Sequence, residues 1–162
     1  KPMAAVREEY QRLLADQTRE LCRLEQYRDQ HAATSDGQRI ILRANIGLIS
    51  DIVVAKRFGA EGVGLYRTEF PYMARGDFPN RSDQYELYSK VVKEFDGQPV
   101  TIRTLDIGGD KALPYFPIEE DNPFLGWRGI RICLDEPELF RKQLRPLLRA
   151  GAGADHDGNT AG

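Results

Sequence analysis

Apolar residues at the amino end of the chain fall at helical spacing. Val6, Tyr10, Leu13, Leu21 and Leu24 share one stripe, broken by Gln17 and flanked by charge, which predicts a helix from about Val6 to Arg28. Thr34-Ser35-Asp36-Gly37 is turn chemistry and closes this arm. The period then changes. Ile40 to Ile46 is an apolar run suited to a strand. Ser50-Asp51 caps a helix through Val53, Ala55 and Phe58, and Gly59 stops it. Val63 to Phe70 is the second strand. Ser82 and Asp83 precede a helix carrying Tyr85, Tyr88, Val91, Val92 and Phe95, ended by Asp96-Gly97, and Val100 to Ile107 is the third strand. A loop rich in proline and glycine follows from Gly108 to about Gly126. Trp127 to Leu134 either adds an extended piece or lines that loop. Asp135-Glu136-Pro137-Glu138 opens a last helix, with acids at its positive end and proline in its first turn. Leu139, Phe140, Leu144, Leu147 and Leu148 supply its buried face, and Arg145 and Arg149 suit its last turn.

Strands alternating with helices in this way form a βα repeat with a parallel sheet. Ligand sites in such folds lie at the carboxyl ends of the strands. Arg67 and Arg103 stand near those ends, with Asn45 and Glu69 on the same rim. A guanidinium among apolar strand residues needs a partner, because burying an unpaired charge is costly. No local carboxylate pattern neutralises both arginines, so the pair points to an anionic ligand. The planar guanidinium fork suits phosphate or carboxylate, donating two parallel hydrogen bonds.

Composition narrows the setting. The 162 residues suffice for one domain with a core, and 41% hydrophobic with 30% charged residues is ordinary for a soluble globular protein. A formal charge of −2 gives no reason to expect nucleic acid or an acidic membrane as partner. No apolar run approaches a membrane span, and no signal-peptide pattern opens the chain. Cys22 and Cys133 lack metal-type spacing, so both read as inert packing residues and a reducing cytoplasm is the expected location. The first residue is Lys1 rather than methionine, as expected of a piece of something longer.

Plainer readings stay open for each residue. Arg67 and Arg103 fit a structural role, paired with Glu69 and Asp106. Arg128 fits either a ligand or a salt bridge to the run Glu119-Glu120-Asp121. Gly108-Gly109-Asp110-Lys111 fits an anion cradle or a tight turn, and matches neither the P-loop nor the dinucleotide fingerprint. Lys111 is a lesser candidate for ligand contact. Asp106 suits the orienting of a neighbouring guanidinium. Phe124 and Trp127 read as loop-packing anchors rather than a stacking platform.

The motifs GVGLYRTEF (62–70), RTLDIGGDKALPY (103–115) and NPFLGWRGIRI (122–132), in this order, resemble the Enzyme I family of the bacterial phosphoenolpyruvate-dependent phosphotransferase system. The resemblance covers about Arg39 to Arg149, and the preceding helix resembles the family's interdomain linker. FPYMARGDFP (70–79) and the stretch 101–131 look closest to the nitrogen-branch paralogue. The resemblance implies an α/β fold: the N-terminal part of a phosphoenolpyruvate-binding (β/α)8 TIM barrel, about three βα units, after a linker helix. The expected divisions are a linker helix at 1–33, a partial barrel at 34–150 and a disordered tail at 151–162. A complete barrel takes roughly 250 residues, so the repeat does not finish here.

The resemblance also implies a reaction. In the family, phosphoenolpyruvate bound with Mg2+ phosphorylates a histidine of a separate domain, and a phosphocarrier protein of HPr type, here its nitrogen-branch form, receives the group. Arg67 and Arg103 match the family's phosphoenolpyruvate-binding arginines, and Arg128 matches a further active-site arginine. The family's magnesium carboxylates, proton-donating cysteine and phosphorylated histidine match nothing in this sequence; His31 and His156 stand in other contexts. No catalytic residue and no metal ligand is therefore expected in this stretch, and no turnover from it alone. A homodimer is implied for the full-length enzyme. The alternative is a truncated, non-catalytic binding or regulatory module. In either case an incomplete barrel exposes strand edges that favour self-association.

Overall fold

The computed structural model describes residues 4–109, 111, 113–119, 121–122 and 124–157. The chain divides into two compact units, Lys1–Ile41 and Leu42–Gly162, so the boundary falls eight residues later than the sequence reading places it. In the first unit, helix α1 (Ala4–Glu25) leaves its apolar stripe on the surface: Val6, Tyr10, Leu13, Leu21 and Leu24 are all exposed, by 45–63%. Arg23 pairs with Glu20 at 2.7 Å along its surface. The turn after it is closed by Thr34 N–H to Gln38 O and Gly37 N–H to Thr34 O, both 2.9 Å, with Gly37 at φ 86°. Ile40 N–H returns to Ala32 O at 2.8 Å, which keeps this turn in the first unit.

The second unit is built on a three-stranded parallel sheet in the order β1-β2-β3. Strand β1 is Ala44–Ile46, β2 is Val63–Tyr66 and β3 is Val100–Ile102. All three are shorter than their apolar runs suggest. The ladder begins where Ala44 meets Val63, so Ile40, Ile41 and Leu42 lie outside it and are exposed. It ends because β2 turns away. After Arg67 N–H reaches Ile46 O at 2.9 Å, the chain bends at Thr68 into the short helix α3 (Glu69–Met73). Arg103 N–H takes Tyr66 O at 3.1 Å, and beyond it β3 has no β2 partner. Strand β2 also holds one residue more than either neighbour between its paired positions: Val63 to Leu65 faces Ala44 to Asn45, and Val63 to Tyr66 faces Val100 to Ile102. This bulge at Gly64 breaks the two-residue alternation, so that Val63 and Tyr66, three apart, are both buried.

Helix α2 (Asp51–Arg57) follows β1. Its start is fixed by Asp51, whose Oδ2 accepts from Gly47 and Leu48 N–H at 2.9 Å each, rather than by a Ser50 cap. Gly59, at φ 74°, ends it as the sequence suggests. Helix α4 (Arg81–Glu94) is capped by Asn80, which accepts from Asp83 N–H at 2.9 Å, not by Ser82. The Trp127–Leu134 stretch is no strand: Gly129, at φ 52°, reverses the chain into helix α5 (Ile130–Asp135). Helix α6 (Pro137–Asp157) packs against α4. It continues through residues 151–157, where the sequence reading expects a disordered tail; 158–162 lie outside the described residues. On α6, Gln143 and Ala150 are buried while Leu148 is exposed, so the buried face differs from the leucine stripe. No helix among the described residues is long and apolar enough to cross a membrane.

Two cores result. One packs Ile46, Ile52, Val63, Tyr66, Tyr88, Val91 and Phe95 around the sheet. The other lies beneath the 104–132 segment and packs Tyr72, Leu105, Ile107, Leu113, Ile132 and Cys133. Phe78 meets Tyr115 and Phe116 edge-on, at centroid distances of 5.0 and 5.5 Å, and closes the second core.

Candidate functional site: a cationic rim at the strand ends

The ends of β2 and β3 bring together five charged side chains. Glu69, the first residue of α3, is fully buried. Its Oε1 accepts from the guanidinium of Arg103 and from Lys111 Nζ at 2.6 Å. Asp106, two pleats beyond β3, receives Arg128 Nη2 at 3.0 Å on one oxygen, and Arg103 Nη1 at 3.3 Å and Lys111 Nζ at 3.4 Å on the other. Three cations thus share two carboxylates, leaving the cluster one unit positive. Arg67 stands beside it, its guanidinium 5.1 Å from the centre of the Phe70 ring and within electrostatic reach of Asp51.

The sequence reading sees no local carboxylates that could neutralise both arginines. The structure corrects this: Glu69 and Asp106 hold Arg103 directly. Arg128 pairs with Asp106; of the acidic run, Glu120 lies outside the described residues. Yet the pairing is incomplete. Arg67 Nε, Arg103 Nε and Glu69 Oε2 are buried without a hydrogen-bond partner, although nearly all such groups in folded proteins find one. Arg103, Lys111 and Arg128 keep 31%, 23% and 25% of their side-chain surface open to solvent. The rim is therefore a set of oriented cations held in place by carboxylates and still accessible.

Local sequence explains the shape of this rim. Gly108, at φ 110°, lies so near Arg128 that a Cβ there would sit 2.7 Å from Arg128 Cβ. Gly129 donates its N–H to Ile107 O at 3.1 Å and brings Arg128 over Asp106. Gly108 and Lys111 form an isolated bridge, so the Gly-Gly stretch is a tight turn that returns Lys111 to the rim; Asp110 lies outside the described residues. A cavity of about 300 Å³ opens beside Asp106 and Arg128, walled by Phe124, Leu125, Ile130 and Arg131. Burial pushes the Asp106 carboxyl up, but the Arg128 hydrogen bond and the charges of Lys111, Arg103 and Arg128 outweigh it, and the group sits below the ordinary aspartate value.

The remaining candidates fall elsewhere. Asn45 is exposed on β1. Trp127 is a packing anchor, stacked on Phe116 at 6.0 Å with its Nε1 donating to Asp135 at 2.6 Å. Phe124 is exposed and lies over Gly109 instead of packing inside the loop. Cys133 is buried, its thiol pushed up by desolvation and then by Asp106, whereas Cys22 is exposed on α1 and is no packing residue. Among the described residues no three His, Cys, Asp or Glu side chains gather as a metal-holding group. Glu69 and Asp106 are already bonded to cations, so this rim does not fit a divalent ion.

Sequence reasoning missed two side chains. Thr68 is fully buried and donates its hydroxyl to Arg103 O at 3.0 Å. Gln143 is buried on α6 and reaches both strand ends. The signal for Gln143 was available: it is a polar residue on the face between Leu139, Phe140 and Leu147.

Parallel strands with a partly solvent-open cationic rim at their carboxyl ends define an α/β domain suited to an anionic ligand. The family described as PEP-utilising enzyme, PEP-binding domain, matches residues 22–157, and the chain belongs to that family. It is 49% identical to the phosphoenolpyruvate-protein phosphotransferase of Staphylococcus carnosus (strain TM300) over 150 residues, 92% of this chain and 26% of that protein. It is 53% identical over 128 residues to the protein so named in Staphylococcus epidermidis, covering 78% of this chain and 22% of the relative. The counterpart from Buchnera aphidicola subsp. Schizaphis graminum is 49% identical over 130 residues, 80% of this chain and 23% of the relative. The chain thus spans about a quarter of the length of the curated relatives it matches.

Proposed function

We propose that this chain supplies part of the phosphoenolpyruvate-binding domain of a phosphoenolpyruvate-protein phosphotransferase. The carrying observation is the cluster Arg103–Glu69–Lys111–Asp106–Arg128, with Arg67 beside it, at the carboxyl ends of parallel strands. Phosphoenolpyruvate bears a phosphate and a carboxylate, and Arg67, Arg103 and Arg128 are its proposed ligands. Transfer of a phosphoryl group relies on positioning and on neutralising charge spread over the phosphate oxygens. Oriented guanidinium groups supply both. Carboxylates that hold these guanidiniums in advance reduce the reorganisation required when the anion arrives.

In the whole enzyme the phosphoryl group would pass to a histidine of another domain and then to a phosphocarrier of HPr type. The motif details at 70–79 and 101–131 support the nitrogen-branch form and its carrier. The sheet β1-β2-β3 with its following helices supports the reading as the first three units of a (β/α)8 barrel, with α1 as a linker helix. Magnesium would add neutralising charge from ligands elsewhere in the enzyme. A homodimeric, cytoplasmic enzyme completes the proposal.

Calorimetric titration of the chain with phosphoenolpyruvate and magnesium, beside an Arg103→Ala variant, tests the reading. Saturable heat that the substitution abolishes is expected. A folded chain that gives no binding heat would overturn the reading.

A further inference from the structure

Each rim segment keeps a single backbone bond to the neighbouring strand, from Arg67 to Ile46 and from Arg103 to Tyr66, and runs on past the ladder. β2 stops at Tyr66 and β3 at Ile102, so Arg67 to Glu69 and Arg103 to Asp106 extend beyond the last strand residues. One buried amide links them. Gln143, 2% exposed on α6, accepts the N–H of Leu105 on Oε1 at 2.8 Å. Its Nε2 donates to Thr68 Oγ1 at 3.2 Å and to Tyr88 Oη at 3.3 Å. The Thr68 hydroxyl passes the connection on to Arg103 O at 3.0 Å. Thr68 lies between Arg67 and Glu69, and Leu105 immediately precedes Asp106. The amide therefore ties the two segments that carry Arg67, Glu69, Arg103 and Asp106.

The chain of bonds continues away from the rim. Tyr88 Oη donates to Gln84 Oε1 at 3.1 Å, Tyr72 Oη donates to the same oxygen at 2.8 Å, and Gln84 Nε2 donates to Pro79 O at 2.9 Å. Every polar atom of Gln143 and Gln84 is thereby engaged, joining α4 and α6 to the start of α3. A fully satisfied buried network of this kind fixes one arrangement where an apolar core would allow several.

We propose that Gln143 is the positioning residue of the rim, setting the spacing between the arginine-bearing ends of β2 and β3. That the spaced arginines bind phosphoenolpyruvate rests on the function proposed above; the spacing itself does not. A leucine at this position would continue the apolar face of α6 but leave the Leu105 N–H without its acceptor and free Thr68 to turn. The expected consequence is misplacement of Arg103, with weaker anion binding and little change in the remainder of the fold.

The test uses the whole chain and four proteins: parent, Gln143→Leu, Thr68→Val, and Val91→Ala as a control buried in the sheet core that takes part in none of these hydrogen bonds. Two quantities are read: phosphoenolpyruvate affinity, and the 15N–1H resonances of the Arg103 guanidinium and the Leu105 amide. Gln143→Leu is expected to weaken binding about tenfold or more, since small misplacements of binding groups have large effects, and to move both resonances. Val91→Ala should lower the unfolding midpoint and move neither. Thr68→Val, which removes the link to Arg103 O and one acceptor of Gln143 Nε2 but leaves the Leu105 bond, should shift the Arg103 resonance and reproduce part of the affinity loss. A Gln143→Leu protein with parental affinity and unshifted Arg103 resonances overturns the proposal; if that variant does not fold, the same result in Thr68→Val overturns it. If the parent binds no phosphoenolpyruvate, the ligand assignment fails instead, and the Arg103 resonances alone decide the role of Gln143.

Discussion

Replacing Glu69 by glutamine removes the charge that holds two cations at the rim while preserving side-chain shape. Glu69 is fully buried, whereas Arg103 and Lys111 retain 31% and 23% of their side-chain exposure. The gross attraction between Lys111 Nζ and Glu69 Oε1 at 2.6 Å is about 6 kcal/mol at an effective dielectric constant near 20. Most of that is offset by desolvation, and breaking a buried pair by removing one partner typically costs about 3–5 kcal/mol. Water reaches both cations here, and the amide oxygen still accepts one hydrogen bond, so the expected loss is about 2–3 kcal/mol. For a folding unit of this size that is a fall in Tm of roughly 8–12 °C. Urea unfolding at pH 7 measures it, with Lys111→Met made in both backgrounds as a double-mutant cycle. The two changes should be less than additive, because the lysine loses its partner in either case. Raising the salt should narrow the difference between parent and variant. A loss below about 0.5 kcal/mol, or strict additivity with Lys111→Met, would refute the idea that this carboxylate organises the rim.

Three further outcomes are expected. The Asp106 carboxyl is lowered because its hydrogen bond from Arg128 and the charges of Lys111, Arg103 and Arg128 outweigh burial; its contribution is complete above the ordinary value of 3.8 and fades as pH falls through the lowered one. An NMR titration placing its midpoint at or above 3.8 would contradict this. Gly108→Ala, at φ 110° and against Arg128, should destabilise by about 1–3 kcal/mol and weaken anion binding, checked by thermal melting and titration. A thiol reagent should modify Cys22 rapidly and Cys133 only on unfolding, since the first is exposed and the second buried with a raised thiol; equal rates would contradict the packing of the second core.

How far the sequence revealed this arrangement depends on the range of the interaction concerned. The alternation of the three strands with α2, α4 and α6 follows from local periodicity, as does the parallel sheet, and Gly59 and Pro137 mark real ends, whereas the short helices α3 and α5 left no such signal. Strand lengths do not, because apolar content cannot tell a paired residue from one that merely packs: Leu105 and Ile107 are buried without belonging to β3. The Ile40–Leu42 run fails differently, apolar yet exposed. At the rim, Arg67, Arg103 and Arg128 were visible as residue types at strand ends. Their restraint was not. Glu69 reaches Arg103 across 34 positions and Gln143 reaches Thr68 across 75, and no local pattern records such pairs. The short α3 also hid Glu69, which reads as a strand residue until the chain bends at Thr68.

The extra residue in β2 has a consequence for how chains of this kind can change length. Side chains on a strand alternate, so a one-residue slip exchanges the two faces. Deleting Gly64 would restore even alternation and carry Tyr66 and Arg67 each to the opposite side, placing a guanidinium where a tyrosine is now fully buried. The turns at the other ends of the strands, around Ala60 and Gln98, lie away from the rim and impose no such parity. Insertions and deletions should therefore accumulate at those turns and be excluded between Val63 and Arg67, where a single codon sets the side to which the Arg67 guanidinium points.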